Sequence, residues 1–247
     1  MLDKVEGLVI RTNDYGETHK VVTLMTREKG KIAVMARGAK KPKSRMSSVT
    51  QPFIHGMYLI HSGSGLGSMS QGEMLSSLRS IREDIVKTAY ASYIAELTDK
   101  LMEEKQPDPF LFEQLLQTLS WMNEGKDPNI LSMMYELKMF KKAGFAPVVD
   151  QCIHCGSQEG PFSFSIVEGG VLCFRCKGRD PEAYGLPEPL PKLLRVFLHM
   201  DVKRLGTITM KEENKKLLRQ LMDDYYERYG GYFLKSKKFL RQLDQFS

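Results

Sequence analysis

The sequence predicts an α+β protein of more than one domain: a small closed barrel of five β-strands, then an α-helical domain with a four-cysteine metal-binding element inserted into it. Three observations carry this. Short runs rich in β-branched residues fill the first 75 positions, apolar residues at helical spacing dominate after Ser80, and all four cysteines lie together in two CxxC pairs. With 247 residues, 42% hydrophobic and 27% charged, the chain can bury a substantial core.

The strands come first. VEGLVIR (Val5 to Arg11), HKVVTLMT (His19 to Thr26), KIAVMAR (Lys31 to Arg37), FIHGMYLIH (Phe53 to His61) and LGSMSQGEM (Leu66 to Met74) are separated by the turn signals NDYGE, EKG and SGSG. Five strands in so compact a stretch fit the OB-fold, a five-stranded barrel that often binds oligonucleotides; an SH3-like barrel fits the same count. GSGLG (Gly63 to Gly67) joins two strands and opens no helix, so it reads as a hairpin turn rather than a dinucleotide fingerprint. His55 and His61 alternate with apolar residues and read as ordinary barrel positions.

Helices follow. Ser80 with Glu83 forms a capping box ahead of a stripe of Ile81, Ile85, Ala89, Tyr93, Leu97 and Leu101. Asp108-Pro109 and Asp127-Pro128 each place an N-cap before a proline at the first helical position. The second of these helices carries Ile130, Met133, Leu137 and Phe140 and stops at Gly144. Thr209 with Glu212 repeats the capping box before Leu217, Leu221 and Tyr225, and Gly230-Gly231 end that helix. The domains are therefore residues 1–80 for the barrel and 81–247 for the helical domain, with the insertion at about 146–190.

Within the insertion, CIHC (Cys152, Cys155) and CFRC (Cys173, Cys176) enclose seventeen residues. CxxC-x17-CxxC is the spacing of a tetrahedral four-cysteine zinc site, and PFSFSIVEGGVL supplies the hairpin that brings the second turn back to the first. Four thiolates close the coordination shell, so a single structural Zn2+ per chain is expected rather than a catalytic one. His154 reads as a surface residue. Disulfides are the competing reading, disfavoured by an expected cytoplasmic location. That location rests on a start, MLDKVEGLVI, that is charged where a signal peptide is apolar, and on the lack of any apolar run near the ~18 to 20 residues of a membrane helix.

The charge is lopsided. Residues 1–80 hold twelve Lys or Arg against six Asp or Glu, while residues 81–247 hold twenty-four of each, so the whole net charge of +6 is N-terminal. Arg27, Lys29, Lys31, Arg37, Lys40, Lys41, Lys43 and Arg45 share their stretch with one acid, Glu28, and with Lys20 they form a candidate polyanion-binding surface. A solubilising charged loop is the other reading. Tyr15, Phe53 and Tyr58 are either stacking platforms for bases or core residues. There is no phosphate-loop, HExxH, GxSxG or kinase signature, and the acidic pairs Glu83-Asp84, Glu103-Glu104 and Asp223-Asp224 diverge on helices too far to ligate one metal jointly. No enzyme, nucleotide site or membrane association is expected.

This order of parts resembles the RecO family of bacterial recombination mediators. The resemblance is carried by EGLVIRTNDYGETHKVVTLMTREKGKIAVMARGAKKPKS (Glu6 to Ser44), by SQGE (Ser70 to Glu73) and by GFAPVVDQCIHCG (Gly144 to Gly156). It implies an N-terminal OB-fold, a helical domain with a zinc-binding element, and no turnover. It further implies binding of single- and double-stranded DNA (ssDNA and dsDNA), annealing of complementary strands, and work with RecR to load RecA onto ssDNA coated by single-strand-binding protein (SSB). Such a mediator works in DNA repair in the bacterial cytoplasm, at the nucleoid. Some members lack the cysteines, so the metal would support the fold. For the acidic C-terminal tail of SSB, Lys138, Lys141, Lys142, Lys203 and Arg204 are candidate cations. A zinc-ribbon or OB-fold RNA-binding or regulatory protein and a metal-dependent nuclease are the rival readings.

Overall fold

A computed structural model describes residues 2–63, 65–204, 206 and 208–244. Five strands, β1 (Leu2–Tyr15), β2 (His19–Thr26), β3 (Gly30–Ala36), β4 (His55–His61) and β5 (Gly67–Ser76), close into a barrel in the order β1-β2-β3-β5-β4, with β4 pairing back onto β1. All neighbours are antiparallel except β3 and β5. This is the OB-fold among the two barrels the strand count allowed. Alternation along the strands fills the interior with Val5, Val9, Val22, Leu24, Val34, Tyr58 and Ile60.

Two glycines are dictated by close approach. Gly30, in the EKG turn, has φ +67°, and a Cβ there would sit 2.1 Å from the Gln106 carbonyl oxygen. Gly72, in SQGE, gives passage to a short helix, α1 (Arg45–Val49), whose Val49 Cγ2 would lie 2.8 Å from an added Cβ. The Tyr58 hydroxyl donates to the Val49 carbonyl (3.1 Å) and ties α1 to the barrel core.

The helices that follow start where local chemistry starts them. α2 (Arg79–Glu83) is a single turn. α3 (Ile85–Leu101) is capped by Asp84, whose carboxylate accepts from the N–H groups of Val86 (2.9 Å) and Lys87 (3.0 Å). The expected Ser80–Glu83 box is thus corrected: Glu83 pairs with Arg79, Ser80 N–H donates to Asn123 Oδ1, and Ile85 is exposed whereas Ala89, Tyr93 and Leu97 are buried. α4 (Pro109–Asn123) starts at Asp108 as expected, its carboxylate accepting from Leu111 N–H at 2.9 Å. α3 and α4 pack on β1 and β2 from outside, so Met25, which does not face the barrel interior, is buried all the same.

By packing, residues 1–128 with 234–247 form one compact unit and residues 129–233 a second. In the second, α5 (Pro128–Lys142) is buried at every position from Ile130 to Phe140. Its Glu136 is held by Arg219 at 2.5 and 2.7 Å, and Arg219 also bonds Asp223 at 2.9 Å. Beyond α5 come β6 (Phe162–Ser165), β7 (Gly170–Cys173) and β8 (Tyr184–Gly185) in a sheet of order β7-β6-β8, then α6 (Leu190–His199) and α7 (Glu212–Tyr229). The Thr209–Glu212 box is also corrected, because Lys211 occupies the N-cap position and makes no side-chain cap. α8 (Lys235–Asp244) returns to the first unit, where Glu96 accepts from the N–H groups of Lys235 and Ser236 and from the Ser236 hydroxyl. No helix among the described residues is long and apolar enough to cross a membrane.

Candidate nucleic-acid interface and metal centre

The nine cations expected to form one track lie at two ends of the barrel. Lys20 opens β2, and Arg37 follows β3 directly. Arg27 and Lys29 occupy the turn at the far end of the same two strands, and Lys31 enters β3 from it. Six steps of strand at ~3.3 Å separate the ends by about 20 Å.

At the far end each cation is committed to a carboxylate. Arg27 Nε bonds Glu6 Oε2 (2.6 Å), and its Nη2 meets Glu113. Lys29 Nζ lies 2.5 Å from Asp3 Oδ2. Lys31, only 9% exposed, donates to the Asp99 carbonyl and pairs with its carboxylate at 3.6 Å. The Arg27 guanidinium holds the Glu6 carboxyl below the usual carboxylate range against the opposing effect of burial, and His55, 2.9 Å away, adds to it. The contacts to Asp99 and Glu113 join the barrel to α3 and α4.

The near end is built differently. After Ala36 the chain folds into tight turns pinned on the β1–β2 connection: Gly38 N–H donates to His19 Nδ1 (2.9 Å), and Lys40 N–H to the Thr18 carbonyl (3.0 Å). Ala39 is buried beneath them. Lys43 is left-handed (φ +60°), and Ser44 caps α1, its hydroxyl accepting from Met46 N–H. The stretch after β3 is therefore a folded platform whose last cation, Arg45, begins a helix. Arg37, Lys40, Lys41, Lys43 and Arg45 are exposed on it, with Lys20 alongside in β2. Lys40 pairs with Asp14 at 2.8 Å and lowers that carboxyl's pKa, to which Lys20 contributes at longer range. Among the described residues no ion pair engages Arg37, Lys41, Lys43 or Arg45.

Of the aromatic candidates, Phe53 and Tyr58 are 4% and 0% exposed and belong to the core. Tyr15 is 58% exposed and ends β1 opposite His19, at the cationic end. The neutralising carboxylates Glu6, Asp3, Asp99 and Glu113 were missed by sequence reasoning, since nothing near Arg27 or Lys31 in the chain signals residues so far away in sequence.

In the second unit, the four Sγ atoms of Cys152, Cys155, Cys173 and Cys176 lie within 4.8 Å of one another, those of Cys155 and Cys173 at 3.6 Å. All four cysteines are unbridged. The hairpin β6–β7 carries Cys173 to the first turn, and Ile153 N–H donates to the Val171 carbonyl (2.8 Å) to close the two halves. A tetrahedral ion with ~2.3 Å bonds to thiolate spaces its sulfurs by about 3.8 Å, so the donor set fits one metal ion. Burial pushes the Cys152 thiol up, but the N–H groups of Cys155, Cys173 and His154 outweigh it and bring the pKa to about 6; burial and the neighbouring thiols push Cys176 to about 12. The Cys173 thiol is also lowered against burial, by the N–H groups of Cys176 and Arg175 and by Cys155, so the backbone stabilises thiolates at Cys152 and Cys173, while ionising Cys176 calls for a cation. His154 is exposed, as expected.

Lys138 does not reach the surface. It is 5% exposed and donates to the carbonyls of Phe197 (3.2 Å) and Met200 (2.5 Å), capping the end of α6. Lys141, Lys142, Lys203 and Arg204 are exposed.

Comparison with known proteins agrees with this architecture across almost the whole chain. The family description "Recombination protein O N terminal" matches residues 1–78, and "Recombination protein O C terminal" matches residues 82–238. The DNA repair protein RecO of Oceanobacillus iheyensis is 55% identical over 246 residues, covering 100% of this chain and 95% of that one. The DNA repair protein RecO of Bacillus subtilis is 52% identical over 244 residues, 99% of this chain and 96% of that one. Both halves of the chain and its full length place it, a barrel followed by a helical domain with a cysteine cluster, in the RecO family of DNA repair proteins.

Proposed function

We propose that the chain is a non-catalytic recombination mediator of the RecF-type pathway, which binds ssDNA and dsDNA, anneals complementary strands and, with RecR, loads RecA onto SSB-coated ssDNA. The cationic end of the barrel is the observation that supports this best. Five exposed cations project from a folded platform beside Lys20 and the exposed Tyr15, with Asp14 at the end of β1 and Glu17 in the β1–β2 connection as neighbouring carboxylates. Such a surface neutralises phosphates without reading bases, and lowers the repulsion between two backbones with no need for ATP. Residues 1–80 are the DNA-binding module in this reading. Arg27, Lys29 and Lys31 stand outside the track because carboxylates already hold them.

The four cysteines hold one structural Zn2+, which ties the two CxxC turns together. Lys141, Lys142, Lys203 and Arg204 are the cations offered to the acidic SSB tail. The protein works in the bacterial cytoplasm and joins the nucleoid during repair.

The test is annealing of two complementary SSB-coated oligonucleotides without ATP at two salt concentrations. Acceleration that falls steeply with salt is expected. Replacing Lys40, Lys41, Lys43 and Arg45 together by Ala should flatten the slope of log K against log salt by about three. An unchanged slope would remove the platform from the binding site, and a preference for RNA with no annealing would move the function to structured RNA.

A further inference from the structure

The four-cysteine element presents an outer face that metal binding does not use. The turn between Cys173 and Cys176 carries Phe174 and Arg175, and the 3₁₀ turn Lys177–Arg179 follows at once. Phe174 is 59% exposed, with the Arg175 guanidinium 5.8 Å from its ring centroid. The backbone beneath is tightly bonded: Cys176 N–H donates to the Cys173 carbonyl (2.9 Å), Arg179 N–H to the Cys176 carbonyl (3.1 Å) and Asp180 N–H to the Lys177 carbonyl (3.2 Å). Arg179 Nη1 lies 3.1 Å from His154 Nε2, which draws the outer side of the first CxxC turn into the same patch.

Charge is sorted by direction. Arg175, Lys177 and Arg179 are exposed, whereas the acid that ends the segment, Asp180, is 8% exposed, accepts from the Ser165 hydroxyl at 2.5 Å and from Glu182 N–H at 3.1 Å. A merely solvated turn would leave that carboxylate among the cations. An exposed ring flanked by arginine on a fixed turn is the pairing that binds unpaired bases: stacking serves any base, and the cations serve the backbone.

We infer that this face of the knuckle is a second ssDNA-binding surface, on which Phe174 stacks against a base while Arg175, Lys177 and Arg179 contact phosphates. The inference rests on the DNA-binding reading above and extends it, since an annealing protein has two strands to hold and the barrel offers one cationic, aromatic surface. A turn already ordered by its own bonds loses little freedom on binding.

Full-length, metal-loaded Phe174→Trp protein is titrated with an unlabelled thymidine oligonucleotide, following tryptophan emission, and in parallel with a fluorescein-labelled copy, following anisotropy. The wild-type chain, whose one tryptophan, Trp121, is 9% exposed, serves as the emission control. Saturable quenching in the variant, absent from the control, is expected. Arg175→Gln, Lys177→Gln and Arg179→Gln combined should weaken binding about ten-fold and cut the salt slope by about two, at ~0.7 per phosphate on single strands. Metal content and far-ultraviolet circular dichroism report whether these surface variants fold. Binding by anisotropy without quenching, or with affinity and slope unmoved in the triple variant, would overturn the knuckle contact and leave the DNA-binding reading standing. No anisotropy change at all would overturn both.

Discussion

A single buried lysine shows how this fold distributes its cations between packing and surface. Lys138 sits in the middle of the helical domain, where burial pushes its pKa down from 10.5 to about 8, with Asp201 opposing and Lys141 reinforcing the shift. The folded state therefore releases this proton at lower pH than the unfolded chain, which holds it to about 10.4. Between pH 8 and about 10.4 the unfolded state binds more protons, so Lys138 makes stability rise with pH through that window. Other groups titrate there too, so the comparison is with Lys138→Met. Thermal unfolding from pH 7.5 to 10 should show the gain in the wild type and a flatter profile in the variant; parallel profiles would mean that the ammonium is satisfied by its two carbonyls. Its burial was hidden in the sequence because Lys138 shares a helix with the exposed Lys141 and Lys142, and its partners lie sixty residues further on. Tyr58 and Tyr15 are the converse case: residue type suits both to stacking, and only the barrel's inward and outward alternation separates them.

At the scale of elements, the basic platform depends on α1, which begins at its last cation. α1 is seated on β5 where Gly72 leaves room, and an added Cβ would lie 2.8 Å from Val49 Cγ2 and 3.2 Å from Tyr58 Cδ1. Gly72→Ala should destabilise the chain by ~1 to 3 kcal/mol through overpacking. It should also weaken oligonucleotide binding several-fold, because displacing Val49 moves the helix that anchors Arg45. Urea denaturation and anisotropy check the two effects, and full stability with full binding would show that Val49 gives way freely. Elements with local causes were legible: β2 runs from His19 to Thr26 as its pattern predicts, α4 starts at the Asp108 cap with Pro109 behind it, and α5 starts at Pro128. The capping boxes at Ser80 and Thr209 failed because Asp84 competes nearer the long helix, and because α7 starts only after Lys211. α1 and α8 gave no signal, being short and rich in Arg, Lys and Ser. The split of the basic track was equally unreadable, since the carboxylates that claim Arg27 come from Glu6 and Glu113, one on either side in sequence.

At the scale of the whole molecule, the four-cysteine cluster belongs to the unit that the chain enters at residue 129 and leaves at 233, while the barrel belongs to the other. The knuckle sheet is held within its own unit by contacts that bypass the cysteines. The Phe164 ring meets Tyr225 of α7 edge-on at 5.8 Å, the Tyr229 hydroxyl donates to the Ile166 carbonyl (2.8 Å), and the Tyr184 hydroxyl donates to Asp224. The two CxxC turns are held by short-range backbone bonds, by the Ile153 N–H to the Val171 carbonyl (2.8 Å) and by the Arg179–His154 contact (3.1 Å). With four Sγ atoms within 4.8 Å of one another, an ion bound there would tie the two turns together, so chelation should release them. Hydrogen exchange before and after chelation should show at least ten-fold faster exchange at Gly156, Cys176 and Arg179, with β6, α5 and the barrel strands unchanged. The same treatment should abolish quenching in Phe174→Trp and spare oligonucleotide binding by the barrel. Faster exchange spreading into β1 to β5 would instead make the metal a support of the entire chain, and DNA binding would then fall with it.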